Sequence, residues 1–268
     1  MYRQLSNNLI IFNLKNDKLL RIGSKHDGGY IVSNEASKKT QTLISFGIED
    51  NSEFEREFIE KFNIQDAYLY DHTVEKKNIK SKELRKFFFK KGLSHSKKKN
   101  FLTLDNIIND NKINEATLKI DIEFNEWEIF NNLDESIFKK FQQILVEFHF
   151  IFFDQNNLNK DRYSDYFYGF YTQNFKLINK ILMDYYSKIL SKLNKHFYIF
   201  HLSANNSLPF FYFNKKIKIP PLLELSLINK KNVNYKPTVY NKVLPKKNLD
   251  SPNKYYKEDL LNFYPILR

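Results

Sequence analysis

"LKIDIEFNEWEIF" (residues 118–130) begins as an apolar strand and then places four carboxylates, Asp121, Glu123, Glu126 and Glu128, within eight positions. Strand side chains alternate, so Lys119, Asp121 and Glu123 share one side while Ile120 and Ile122 take the other. The same arithmetic puts Glu147 and His149 on a common side of "QILVEFHF" (143–150). If these two strands are sheet neighbours, as consecutive parallel strands usually are, both polar sets meet at one rim. Buried carboxylates are costly unless paired or bonded, so packing alone does not favour the arrangement. Asp121, Glu123, Glu147 and His149 are therefore read as functional. Glu126 and Glu128 are assigned to the first turn of a following helix, where acids suit the helix dipole.

Working outward, short apolar runs recur: "YIVS" (30–33), "TLISFG" (42–47), "AYLYD" (67–71), "ATLKIDIE" (116–123), "FYIFHLS" (197–203) and "PLLELSLI" (221–228). Helical patterns separate several of them. In "NSEFEREFIEKF" (51–62), Ser52 and Glu55 have the spacing of a capping box, and Phe54, Phe58 and Phe62 form an apolar stripe. "FKLINKILMDYYSKILSKL" (175–193) predicts a longer amphipathic helix. Strand–helix alternation predicts an α/β fold whose mostly parallel sheet carries helices on both faces, with ligand sites at the carboxyl ends of strands. Residues 76–100, dense in Lys, and the tail after Asn229 read as less ordered. The segment 154–172 reads either as a substrate-covering loop or as an aromatic packing flap.

Composition narrows the chemistry. With no cysteine among 268 residues, disulfides, thiolate metal sites and a Cys nucleophile are excluded. A metal would need carboxylate, imidazole or carbonyl ligands. The N-terminus lacks the pattern of a signal peptide, and no run approaches the roughly 18 apolar residues of a membrane span, which together predict a soluble, cytoplasmic protein. The net charge of +12 invites a nucleic-acid reading. Yet only six of the 43 basic residues are Arg, and the excess of Lys, Asn, Ile, Phe and Tyr matches codons rich in A and T. A solvated Lys-rich surface is the preferred reading, and nucleic acid is not expected as a partner.

Three further stretches carry candidate residues. "SFGIED" (45–50) sets Gly47 at a strand-to-helix turn, where backbone can approach a ligand closely. Asp71 ends the next strand, near the roughly 20-residue offset at which an acid binds a nucleoside ribose. "HDGGY" (26–30) spends two of six glycines on one turn. Ligand contact and simple chain reversal both remain open for it. "FHLSANN" (200–206) sets His201, Asn205 and Asn206 at another strand end.

The order "RIGSKHDGGYIV", "SFGIEDNSEFE", "AYLYDHT", "LTLDNII", "LKIDIEFNEWEIF", "ILVEFH", "FHLSANN" and "PLLELSLINK" resembles the FkbM-like family of S-adenosylmethionine-dependent methyltransferases, in the branch with a DGGY segment, over about residues 20–230. The resemblance implies a class I methyltransferase fold, Rossmann-like, with a mostly parallel seven-stranded sheet and an antiparallel terminal hairpin formed by "FYIFHLSANN" and "PLLELSLI". It divides the chain into an N-terminal extension (1–40), a methyltransferase domain (41–230) and a basic C-terminal tail (231–268). Carried over by position, Phe46, Gly47 and Ile48 line the cofactor, with Asp27, Gly28 and Gly29 beside it. Asp71 holds the ribose, the region from Thr103 to Asp105 borders the adenine, and Asp121 faces the sulfonium and the acceptor. The family usually has Gly after its Ile–Glu pair, whereas this chain has Phe124 and then Asn125.

The resemblance further implies O-methylation, commonly of a sugar in capsule or other surface-polysaccharide synthesis, with a sugar, sugar nucleotide or glycan as partner. His149 is the candidate base, with Asp121 and Glu147 as the other catalytic candidates. Asp121, Glu147 and His149 are the candidate ligands of a divalent cation such as Mg2+. Glu123, His201 and Asn205 are the candidate substrate contacts. A phosphate-type or other non-sugar oxygen is the alternative acceptor, and a basic nucleic-acid-binding protein or RNA methyltransferase is the reading from another class.

Overall fold

The computed structural model describes residues 2–152, 175–208, 211–212, 218–240, 242, 244–246 and 248–253. The expected flap at 154–172 lies outside the described residues. After a short helix at Tyr2–Asn7 and a two-residue strand at Phe12–Asn13 comes a hairpin of β1 (Leu19–Gly23) and β2 (Gly29–Ser33). Then follow β3 (Thr42–Phe46), α1 (Glu53–Phe62), β4 (Asp66–Tyr70), the two-residue β5 (Phe88–Phe89), α2 (Leu104–Asp110), β6 (Ala116–Ile120), α3 (Glu126–Asn132), β7 (Phe141–His149), α4 (Phe175–His196), β8 (Phe197–Ala204) and β9 (Leu222–Asn229).

Seven strands form one sheet in the order β8-β9-β7-β6-β3-β4-β5. From β7 to β5 every pairing is parallel, while β9 runs antiparallel to both β7 and β8. This is the class I methyltransferase topology, terminal antiparallel pair included.

Alternation sorts the strand side chains into two apolar layers. Ile44, Leu118, Ile144 and Val146 face one layer, with Ile107 and Ile108 of α2, Trp127 and Phe130 of α3, and Met183 and Leu190 of α4. Leu43, Leu69 and Leu145 face the other, with Phe54 and Phe58 of α1 and Ile22, Tyr30 and Val32 of the first hairpin. Burying both faces is what a parallel sheet requires.

Two local expectations fail. "YIVS" is a strand as expected, paired with Leu19–Gly23 outside the central sheet, but the Lys-rich stretch read as less ordered supplies that sheet's edge strand, Phe88–Phe89. Two paired residues are too few to leave a periodic signal. The capping box is also absent: Ser52 makes no side-chain cap bond, and Glu55 turns inward to accept from the Ser45 hydroxyl at 2.6 Å. The Phe54–Phe58–Phe62 stripe does form, with ring centroids 5.5 and 4.9 Å apart.

Register fixes the site. Phe46, Ile120 and Val146 are aligned across β3, β6 and β7, so Gly47, Asp121 and Glu147 emerge side by side.

Candidate active site

A cavity of about 370 Å3 opens at these carboxyl ends. Gly47, Ile48, Asp121, Glu123, Glu147 and His149 line it, as do Asp27, Gly28 and Asn205, all expected from the sequence. Glu49, Asn51, Phe54, Glu55, Lys119 and Phe124 also line it.

Gly47 is required by a close approach. Its φ is +72°, and a Cβ there would stand 1.5 Å from the Asp121 carbonyl oxygen. The Gly47 carbonyl oxygen accepts from Lys119 Nζ, and the Asp121 N–H donates to the Phe46 carbonyl at 3.2 Å. The glycine therefore admits the neighbouring backbone, which brings Asp121 to the rim. Tyr30 of the DGGY hairpin, buried in the second layer, donates its hydroxyl to Asp121 Oδ2 at 3.1 Å. Burial, then the charge of Asp121, hold that phenol well above its ordinary pKa, so it stays a donor.

His149 is buried at the centre of the acids. Its Nδ1 lies 3.1 Å from Glu126 Oε1, which also accepts from the Ile122 N–H at 2.8 Å. Its Nε2 lies 3.3 Å from Glu123 Oε2 and 3.7 Å from Glu147 Oε2. Burial alone would lower the imidazole pKa, but the hydrogen bond and charge of Glu126, with Glu147 and Asp121 behind, push it up to about 10. Glu147 moves up as well: burial and then Asp121 raise it well above the carboxylate range, while Asn205 Nδ2 donates to its Oε1 at 2.8 Å. Glu49 is raised by burial first, then by Asp121, Asp27 and Glu123, the other acids of the same cavity.

Glu126 and Glu128 do lie in the first turn of α3, as expected, but Glu126 is not a solvated acid: it is fully buried and orients His149, while Glu128, two residues on, is exposed and lies 3.2 Å from His95. The signal was periodic: position 126 shares a helix face with Ile129, Phe130 and Leu133, so an acid stands on the apolar side. Trp127 anchors the same helix, donating Nε1 to the His149 carbonyl at 2.7 Å and stacking on Phe148 at 4.0 Å.

Other expected residues sit elsewhere. Asp71 Oδ1 accepts from the Thr73 N–H and hydroxyl, and its Oδ2 from the Glu49 N–H at 2.9 Å, which ties β4 to the Gly47 loop. Burial would raise its pKa, but those bonds hold it below the usual value. Phe46 is core, stacked on Tyr70 at 4.9 Å. Gly29 pairs with Gly23 in the first hairpin, and Asp105 lies in the first turn of α2 behind an N-cap from Thr103. His201 is buried against Asp250, its Nε2 2.9 Å from Oδ1. None of these five is among the residues that line the cavity.

Ligand atoms of Asp121, Glu123 and His149 lie within 4.8 Å of one another. Of the expected metal set, Asp121 and His149 are in this group, and Glu147 faces His149 Nε2 from the next position. A metal held here would take His149 as neutral imidazole, so its binding would release a proton.

Phe124 has φ +72° and Glu123 φ +53°, the left-handed region. This accounts for a glycine at that position elsewhere in the family, since a side chain there costs roughly 1–2 kcal/mol. The Phe124 ring lies 5.1 Å from the His149 ring, which offsets part of the cost. Phe124→Gly is expected to change stability by less than about 1 kcal/mol, a melting shift within about 4 °C, because relief and lost contact oppose each other. A thermal melt showing a loss several times larger would mean that the ring carries the loop.

The chain matches the model of the methyltransferase FkbM domain over residues 18–200. Among solved structures it is similar to the mitomycin 7-O-methyltransferase MmcR, with 8% identity and TM-score 0.32, over 73% of this chain and 53% of that one. It is also similar to M. capricolum TrmK in complex with S-adenosylhomocysteine, with 15% identity and TM-score 0.33, over 74% and 66% of the two chains. A third likeness is to the Methanococcus jannaschii fibrillarin pre-rRNA processing protein, with 10% identity and TM-score 0.36, over 80% and 83%. The chain thus spans between half and two thirds of the first two structures it matches. None of the curated proteins compared matches it. Among the described residues, no helix is long and apolar enough to cross a membrane. With residues 18–200 matched, and with the DGGY hairpin, the Gly47 turn and the acids after β6 and β7 converging on one cavity, the chain belongs to the FkbM methyltransferase-domain family.

Proposed function

We propose that the chain transfers a methyl group from S-adenosylmethionine to a hydroxyl oxygen, with a sugar of a capsule or other surface polysaccharide as acceptor. The observation that carries the reading is the charge of the cavity. In a chain of net charge +12, Asp27, Glu49, Glu55, Asp121 and Glu123 line it, against Lys119 and His149, while burial holds Glu147 toward its neutral form. Such a lining attracts a cationic sulfonium and its ammonium group. It repels phosphate-type acceptors and the phosphates of RNA, which disfavours both alternative acceptors.

S-adenosylmethionine supplies an electrophilic methyl group; the acceptor oxygen bonds to it as the carbon–sulfur bond breaks, leaving a neutral thioether. The protein positions the two reactants and takes the acceptor proton. Asp121, fixed by Tyr30, faces both reactants. His149 Nε2 receives the proton once it is in the neutral form, with Glu126 holding the ring. Glu123 and Asn205 offer hydrogen bonds to neighbouring hydroxyls of a polyol. A divalent cation forms no part of this reading.

Calorimetric titration with S-adenosylhomocysteine in a chelator-containing buffer tests the reading. Saturable one-site binding is the expected result. No detectable heat or melting shift at millimolar ligand would overturn it, and binding that appears only after Mg2+ is restored would overturn its metal-free form.

A further inference from the structure

The last described residues of the chain pack behind the cavity, against Asp27 of its lining. Asn253 is buried, and its Nδ2 donates to Asp27 Oδ1 at 3.1 Å and to Glu224 Oε1 at 3.2 Å. Asp27 lines the cavity, and Glu224 stands opposite Glu147 in the β7–β9 register. Asp27 is exposed at the cavity and Glu224 is half-buried behind it, and one side-chain amide, with two N–H groups, answers both.

Described residues of the segment that brings Asn253 there are tied down at several points. The Pro252 carbonyl oxygen lies 2.8 Å from His26 Nδ1, on the same turn as Asp27. Asp250 pairs with His201 at 2.9 Å, their side chains 1% and 2% exposed. Asp250 Oδ2 also accepts from the Lys246 N–H, and Leu244 is buried in the larger apolar layer. The matched family domain ends at residue 200, so Asp250 and Asn253 come from chain beyond it.

We infer that the segment Leu244–Asn253 completes the ligand site, with Asn253 a positioning residue that fixes the Asp27 carboxylate to receive the ammonium of the cofactor's amino-acid end. This rests on the methyltransferase reading above. Asp27 approaches the cavity from the first hairpin, across from the acids after β6 and β7, and its turn depends on outside partners. Gly28 has φ +82°, and besides the C-terminal segment the Asn51 side chain reaches the Asp27 carbonyl at 3.4 Å. Without Asn253 the Asp27 carboxylate, already exposed to water, would lose the donor that fixes its direction.

Two ligands separate positioning from mere folding: S-adenosylhomocysteine carries the ammonium, and methylthioadenosine lacks the whole amino-acid end. In the full chain, Asn253→Ala is expected to weaken S-adenosylhomocysteine about tenfold or more by calorimetry and to leave methylthioadenosine within about twofold, as for loss of a hydrogen bond to a charged group. Asp27→Asn should show the same selective loss, and Asn253→Gln, which keeps both donors, should recover part of the affinity. Equal weakening of both ligands, or no weakening of either, would overturn the inference. A wild-type chain that binds neither would instead overturn the methyltransferase reading.

Discussion

Gly47→Ala is expected to weaken S-adenosylhomocysteine binding by about a hundredfold or more and to lower the melting temperature. The added Cβ would stand 1.5 Å from the Asp121 carbonyl oxygen and 2.7 Å from its carbonyl carbon, both backbone atoms that no rotamer change can clear. The φ of +72° adds a left-handed penalty of roughly 1–2 kcal/mol. The strand ends are stitched on both sides, with the Gly47 N–H donating to the Tyr70 carbonyl at 3.1 Å and Lys119 reaching the Gly47 carbonyl. Relief therefore means parting β3 from β6 at the point where Asp121 emerges, and displacements near 1 Å cost about two orders of magnitude in a positioned site. Gly28→Ala is the internal comparison. Its φ is similar, but its Cβ would meet only the side-chain amide of Asn51 at 2.9 Å, which can swing away. Gly28→Ala should lose far less affinity than Gly47→Ala. Equal, small losses at both positions would show that the close approach to Asp121 is not what Gly47 provides.

The sheet and the rim were legible in sequence because they rest on local, periodic signals. Alternation alone placed Asp121 and Glu123 with Glu147 and His149, and parallel adjacency of β6 and β7 brought them together. The strand itself stops at Ile120, and the chain at Glu123 and Phe124 is left-handed, so a loop completes what strand alternation suggested. Glu126 does lie in the first helical turn expected for it, but its burial was missed because the apolar face it shares with Phe130 was given less weight. The Ser52–Glu55 pattern failed for the opposite reason: tertiary demand from Ser45 outbid a local cap. Residues 231–268 read as a basic tail, and nothing local marked Asn253 as a partner of Asp27, from which 226 positions separate it. Contacts of that span leave no pattern within any window of sequence.

Substitution of His149 should give the second large effect, separating turnover from ligand binding. His149→Ala and His149→Gln are expected to lower turnover by about two to four orders of magnitude, the usual contribution of a positioned base. S-adenosylhomocysteine affinity should change little, because its sulfur is neutral and the imidazolium makes no favourable charge contact with it. The pH dependence follows from the surroundings of the ring. Burial would lower its pKa, but Glu126, Glu147 and Asp121 push it up to about 10, so near neutrality most of the free protein holds the cationic form. Only the neutral form can accept a proton, so wild-type kcat/KM should climb with pH from 7 toward 9, about tenfold per unit, and the His149 variants should lack that limb. Glu126→Gln should move the same limb to lower pH, since it removes the charge that most strongly favours the imidazolium. Undiminished turnover in His149→Ala would remove the ring from the proton path and leave Asp121, held by Tyr30, as the group facing the acceptor.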